Sequence, residues 1–107
     1  MARPKQGASG DPGLLLLVSL ASGPKHGHAM MQDVEEFARV RLGPGTLYGA
    51  VERLERDGLI EPIESSDRRR PYRLTEAGER ALRDRLEGVA GVIRVGQRRV
   101  GAPARTA

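Results

Sequence analysis

The sequence predicts a mainly α-helical fold with a small β-hairpin: a winged helix-turn-helix followed by a C-terminal dimerisation helix. Three observations carry that prediction. Residues Gly43 to Gly58, GPGTLYGAVERLERDG, form a helix bounded by proline and glycine, with one apolar stripe and one small, polar face. After Gly58 the pattern changes to two short, strand-like segments around a charged tip. From Leu82 onward, apolar and small residues follow a 4-3-4-3-4 spacing, the seam of a helix that packs on another helix.

A chain of 107 residues accommodates one domain with tails. Its only aromatic residues are Phe37, Tyr48 and Tyr72, so the core must rest on Leu, Val, Ile and Met. The absence of cysteine excludes disulfides and thiolate metal sites. His26 and His28 are too few for a zinc site, and no metal or other cofactor is expected. No GxSxG, Walker or paired-carboxylate arrangement is present, which argues against an enzyme. The longest apolar run, Leu14 to Val18, falls far short of the ~20 residues of a bilayer span. Asp11-Pro12 ahead of it fits a secretory signal poorly. The expectation is a soluble cytoplasmic protein with no membrane partner.

Residues 1–10 lack apolar periodicity and read as a flexible, weakly basic arm carrying Arg3 and Lys5. The winged helix-turn-helix is expected over 11–74. Asp11-Pro12 starts its first helix, an N-cap acceptor followed by proline at the first helical position. That helix runs to about Ala21, apolar most of the way round, and Ser22-Gly23-Pro24 ends it. A second helix begins at His26 or Gly27 and continues to about Arg39. Met30, Val34 and Phe37 mark its buried face, and Gln32, Asp33, Glu35 and Glu36 its wet one. Arg41 to Gly43 turn the chain into the third helix. There Pro44 suits the first turn, Gly58 suits a left-handed cap, and Leu47, Val51 and Leu54 share one face. The other face carries Gly45, Gly49, Glu52 and Arg56, flanked by Thr46, Tyr48 and Arg53. Two helices joined by a short turn, the second with a small and polar N-terminal half, match a helix-turn-helix.

Leu59 to Ile63 reads as a strand, with Pro62 tolerable only at an edge or a strand end, and Pro71 to Leu74 as its partner. Thr75 is an N-cap for the last helix, with Glu76 and Glu79 near the positive end of its dipole. Leu82, Leu86, Val89 and Ile93, then Gly96 and Val100, form the seam assigned to a homodimer over residues 75–100. Glycines at 88, 91 and 96 each weaken that helix by roughly 1 kcal/mol, so it is expected to need a partner chain. Residues 101–107 are expected to be a disordered tail.

Three segments in order, GPKHGHAMMQDVE (23–35), LGPGTLYGAVERLERDGLIE (42–61) and DRRRPYRLTEAGERAL (67–82), resemble the PadR family of bacterial transcriptional regulators. The resemblance covers about residues 12 to 100. It implies a winged-helix repressor, dimeric through its C-terminal helix, often acting on its own promoter or a neighbouring gene. The single short C-terminal helix is similar to that of the small subgroup. His28 stands where the family commonly has an aromatic residue, and Gly43 where many members have serine, a substitution worth only a few tenths of a kcal/mol. Some small members sandwich flat ligands between tryptophans. This chain has no Trp, so any small-molecule effector is left unidentified.

Resemblance and helical geometry together aim the third helix at the major groove of double-stranded DNA, with Gly45, Thr46, Tyr48 and Gly49 nearest. The Tyr48 ring can instead pack against the second helix, and the Thr46 hydroxyl can bond its own turn. Arg53 can grip phosphate or read guanine, or pair with Glu52 or Asp57. Arg68, Arg69 and Arg70 at the wing tip are the strongest electrostatic signal, although the formal net charge is only +4. Lys25, ahead of the second helix, is a further phosphate contact. The rival reading is a winged-helix adaptor that binds protein rather than DNA, and such an adaptor would not need the basic wing.

Overall fold

A computed structural model describes residues 11–65 and 69–101. The expected arm at 1–10, the end of the tail at 102–107 and Arg68 lie outside the described residues.

Helix α1 spans Pro12–Leu20. The Asp11 carboxylate caps it, accepting from the N–H of Gly13 at 3.0 Å and of Leu14 at 3.4 Å. Leu14, Leu15, Leu16, Leu17 and Leu20 are all buried, because α1 packs on α2, α3 and α4 and leaves no wet side for them. Helix α2 spans Gly27–Ala38 and is closed by Arg39 in the left-handed conformation, φ 58°. Met30 and Val34 are fully buried as expected, but Phe37 is 45% exposed. The next four-residue step from Val34 lands on Ala38, which takes the core position, while the three-residue step swings Phe37 to the rim.

Helix α3 spans Pro44–Arg56, burying Leu47, Ala50, Val51 and Leu54. Gly58 follows at φ 77°, the left-handed geometry that favours glycine. Strands β1 (Ile60–Pro62) and β2 (Tyr72–Leu74) are each trimmed relative to the sequence expectation and pair antiparallel, Ile60 with Leu74 and Pro62 with Tyr72. Thr75 N–H bonds Leu59 C=O at 3.1 Å and Ile63 N–H bonds Pro71 C=O at 2.8 Å. The hydrogen-bonded pairs therefore fall on either side of Pro62, whose nitrogen faces away from β2. Proline removes no rung of the ladder there.

Helix α4 spans Glu76–Gly101 without a break at its glycines. The Thr75 hydroxyl accepts from Gly78 N–H at 3.0 Å and donates to Gly58 C=O at 2.6 Å, tying the start of α4 to the end of α3. A Cβ on Gly78 would sit 2.0 Å from the Leu59 carbonyl oxygen. Leu82 is buried in the domain's own core, which corrects its placement in the dimer seam: at that point α4 still lies against α1. Arg85 pairs with Asp11 at 3.6 Å, the ion pair by which α4 holds the start of α1. Beyond it Leu86, Val89, Val92 and Ile93 are exposed, Val92 by 72%.

Candidate nucleic-acid interface

The outward face of α3 is exposed and lightly furnished. Gly43 offers no side-chain cap, and the first helical bond runs from Leu47 N–H to Gly43 C=O at 2.9 Å. The N–H groups of Gly45 and Thr46 therefore emerge from the helix end, where the dipole is positive. A Cβ on Gly45 would meet nothing within 4 Å, and one on Gly49 would meet only the Arg53 guanidinium at 3.8 Å. Neither glycine has positive φ, so neither is required by the fold of this chain.

Tyr48 packs against the second helix, as one of its two sequence readings has it. Its ring packs over Gly27 at the start of α2, where an added Cβ would lie 2.6 Å from the hydroxyl and 2.9 Å from Cε1, yet the residue is 53% exposed. The phenol is thus held from one side and open on the other. Gly27 escaped the sequence reading. Its visible signal was a glycine at the first position of a helix, where alanine is the better former.

Thr46 is exposed and its hydroxyl bonds no described residue, so it does not close on its own turn. Arg53 folds back along the helix above Gly49 and forms no ion pair with Glu52 or Asp57. Arg41, by contrast, is held by Glu35 at 2.9 Å, a hydrogen bond that raises the pKa of its guanidinium. It closes the turn between α2 and α3.

Lys25 does not stand where the sequence reading put it. Its ammonium turns inward to Ser19 C=O at 2.5 Å and Ser22 Oγ at 2.7 Å, with Asp33 Oδ2 at 4.0 Å. Past Gly23, at φ 138°, Lys25 lies over the end of α1, where its half-buried charge is met by the protein's own polar groups. In the wing, Arg69 and Arg70 are exposed on the approach to β2. Arg73 is paired with Glu61 across the hairpin at 2.9 Å and serves the strands.

Among the described residues no group of three or more His, Asp or Glu side chains could hold a metal ion. No helix of these residues is long and apolar enough to cross a membrane.

Three helices, a two-stranded wing and an open α3 face define a winged helix-turn-helix protein. The chain belongs to the PadR-like family of transcriptional regulators, which it matches over residues 16–84. It is 37% identical over 90 residues to the transcriptional regulator Rv3488 of Mycobacterium tuberculosis, covering 78% of this chain and 83% of that protein. It is 44% identical over 80 residues to an uncharacterised 37.1 kDa protein in transposon TN4556 of Streptomyces fradiae. That match covers 75% of this chain but spans only 23% of the Streptomyces protein. A PadR family transcription regulator from Clostridium difficile superposes with a TM-score of 0.76 at 24% identity, over 84% of this chain and 98% of that one. RosR of H. salinarum superposes with a TM-score of 0.68 at 27% identity, over 78% and 76%. The fold is therefore that of the family's winged-helix structures, and the family is one of transcriptional regulators.

Proposed function

We propose that the protein is a sequence-specific DNA-binding regulator, a cytoplasmic repressor that binds an inverted-repeat operator as a homodimer. The outer face of α3 is the observation that carries this reading. Gly49 costs an interior helical position roughly 1 kcal/mol relative to alanine, and nothing inside the protein requires it. A bare backbone at that point suits close approach of a surface from outside. The emergent N–H groups of Gly45 and Thr46, the open Thr46 hydroxyl and the held Tyr48 phenol are all phosphate donors. Arg53 adds a cation on the same face, and Arg69 and Arg70, with Arg68 beside them in sequence, add more from the wing.

The exposed apolar stripe of α4 supports dimerisation. Leu86, Val89 and Ile93 continue the helical step from the buried Leu82 into solvent, a stripe that a second α4 would cover. Two recognition helices related by a twofold axis would read half-sites about 34 Å apart. Specificity then rests on few base contacts, half-site spacing and DNA shape, because glycines and Glu52 occupy much of the face.

Genome-wide selection of bound DNA fragments, followed by anisotropy titration of the recovered site, tests the proposal. A dimer neutralising six to ten phosphates loses about 10³-fold or more in affinity between 50 and 200 mM salt. Recovery of no inverted repeat, or binding indifferent to salt, defeats it. Replacing Arg68, Arg69 and Arg70 with alanine separates it from the adaptor reading, in which protein binding survives the change.

A further inference from the structure

We propose that Lys25 is a positioning residue for the wing: it fixes the hairpin relative to α3 while its own charge never reaches DNA. The inference rests on the proposed DNA-binding role of the wing.

The side chain fastens Lys25 to the helices. Its ammonium lies 2.5 Å from Ser19 C=O, 2.7 Å from Ser22 Oγ and 3.4 Å from Gly23 C=O, all at or just past the C-terminal end of α1. A cation there also complements the negative end of the helix dipole. Ser19 is 1% exposed, and its hydroxyl donates to Asp33 Oδ2 on α2 at 2.8 Å. Asp33 lies 4.0 Å from the ammonium, so α1, α2 and Lys25 meet in one polar cluster at the edge of an apolar core.

The main chain of the same residue fastens the wing. Lys25 N–H donates to Tyr72 C=O at 3.2 Å, and Tyr72 N–H donates to Lys25 C=O at 3.0 Å. In its pairing with Pro62, Tyr72 directs both of these groups away from β1, and Lys25 meets them. The base of the hairpin is held separately, through Thr75, Leu59 and Gly58. Tyr72 lies nearer the tip, two residues from Arg70 and three from Arg69. Holding the base alone leaves a two-stranded ribbon free to pivot. The Lys25 bridge, together with the packing of the Tyr72 side chain on the core, supplies the second point that sets its direction.

A double-mutant cycle tests this. The affinity for a fluorescein-labelled duplex of mixed sequence at low salt is measured for four proteins: wild type, Lys25→Met, Arg69→Ala/Arg70→Ala, and the combination. Lys25→Met is expected to weaken binding about fivefold or more with the wing intact, and less than about twofold without its arginines. Equal losses in both backgrounds would mean that Lys25 acts directly or through general stability, and would overturn the inference, as would no loss at all.

Hydrogen exchange on the free protein gives the second readout. Tyr72 N–H is expected to exchange faster in Lys25→Met, while the amides of Leu47 to Val51 in α3 keep their protection. Unchanged Tyr72 protection overturns the fastening itself. If the wild type binds no duplex, the DNA reading fails on its own, and the exchange experiment still decides whether Lys25 holds the wing. Should the methionine variant not fold, Lys25→Gln takes its place: its shorter, uncharged side chain cannot reach Ser19 C=O, Ser22 Oγ and Gly23 C=O together, and the same outcomes decide.

Discussion

Tyr48 and Gly27 fit together as ring and recess. The phenol of α3 lies so close over the first residue of α2 that an added methyl group would come within 2.6 Å of its hydroxyl and 3.0 Å of Cζ. A glycine on one helix thereby sets where an exposed tyrosine of the next one stands. Gly27→Ala is expected to push the ring off this seat, at a strain cost of about 1–3 kcal/mol that is partly relieved because the ring can swing outward. Helical content by circular dichroism should be retained, while affinity for the selected operator falls about tenfold, a 1.4 kcal/mol effect. Unchanged affinity would show that the seat of Tyr48 is irrelevant to binding.

Gly49→Ala separates folding from function. An added Cβ meets only the mobile end of Arg53 at 3.8 Å, so the substitution is expected to stabilise the protein by roughly 1 kcal/mol. The same methyl stands on the face offered to the groove and should weaken operator binding. Thermal unfolding and anisotropy should therefore move in opposite directions. A variant more stable and equally tight in binding would show that α3 does not approach DNA at this point.

Gly78→Ala should be severe. Its Cβ would collide with the Leu59 backbone oxygen at 2.0 Å, and neither partner is a flexible side chain that can step aside. Relief requires moving α4 off Leu59, just ahead of β1, which also disturbs the Thr75 cap. A loss of about 3 kcal/mol or more in urea unfolding is expected, placing it among the largest single-residue effects. A loss below about 1 kcal/mol would mean that the start of α4 is far more yielding than its packing implies.

Ile93→Glu tests the second copy. Ile93 is 50% exposed and lies well past the last contact of α4 with its own core, so the substitution should leave the wing and α1–α3 folded. Light scattering should show a shift from dimer to monomer, with operator affinity falling in parallel. A dimer that persists would move the interface to another face of α4 or of the domain.

What could be read from the chain follows a physical division. α3 was legible because Pro44, Gly58 and the Leu47–Val51–Leu54 spacing are local signals that agree with one another. The hairpin and the Thr75 cap were legible for the same reason. Phe37 misled because a three-residue and a four-residue step look alike in sequence, and only the position of α1 decides that Ala38 faces the core. Lys25 misled because a basic residue ahead of a helix gives no sign that the chain past Gly23 will lay its ammonium over the end of α1. Leu82 belongs by spacing to the exposed seam and by packing to the core, and spacing alone cannot say where a helix leaves its domain. Gly27 and Gly78 are needed for contacts with residues 21 and 19 positions away, beyond the reach of any local pattern.

The outer part of α4 has a consequence for regulation. The helix of 26 residues extends over about 39 Å, yet past Leu82 it meets its own domain chiefly at the Arg85–Asp11 pair, and Gly88, Gly91 and Gly96 lower its intrinsic stability. In the proposed homodimer a second α4 would supply the missing support, which would make ordering of this segment and pairing of protomers a single equilibrium, sensitive to concentration. Where protomers are mostly unpaired, operator occupancy then rises with the square of their concentration. A regulator of that kind would be ineffective until its own production passed a threshold, a timing device set by three glycines of α4.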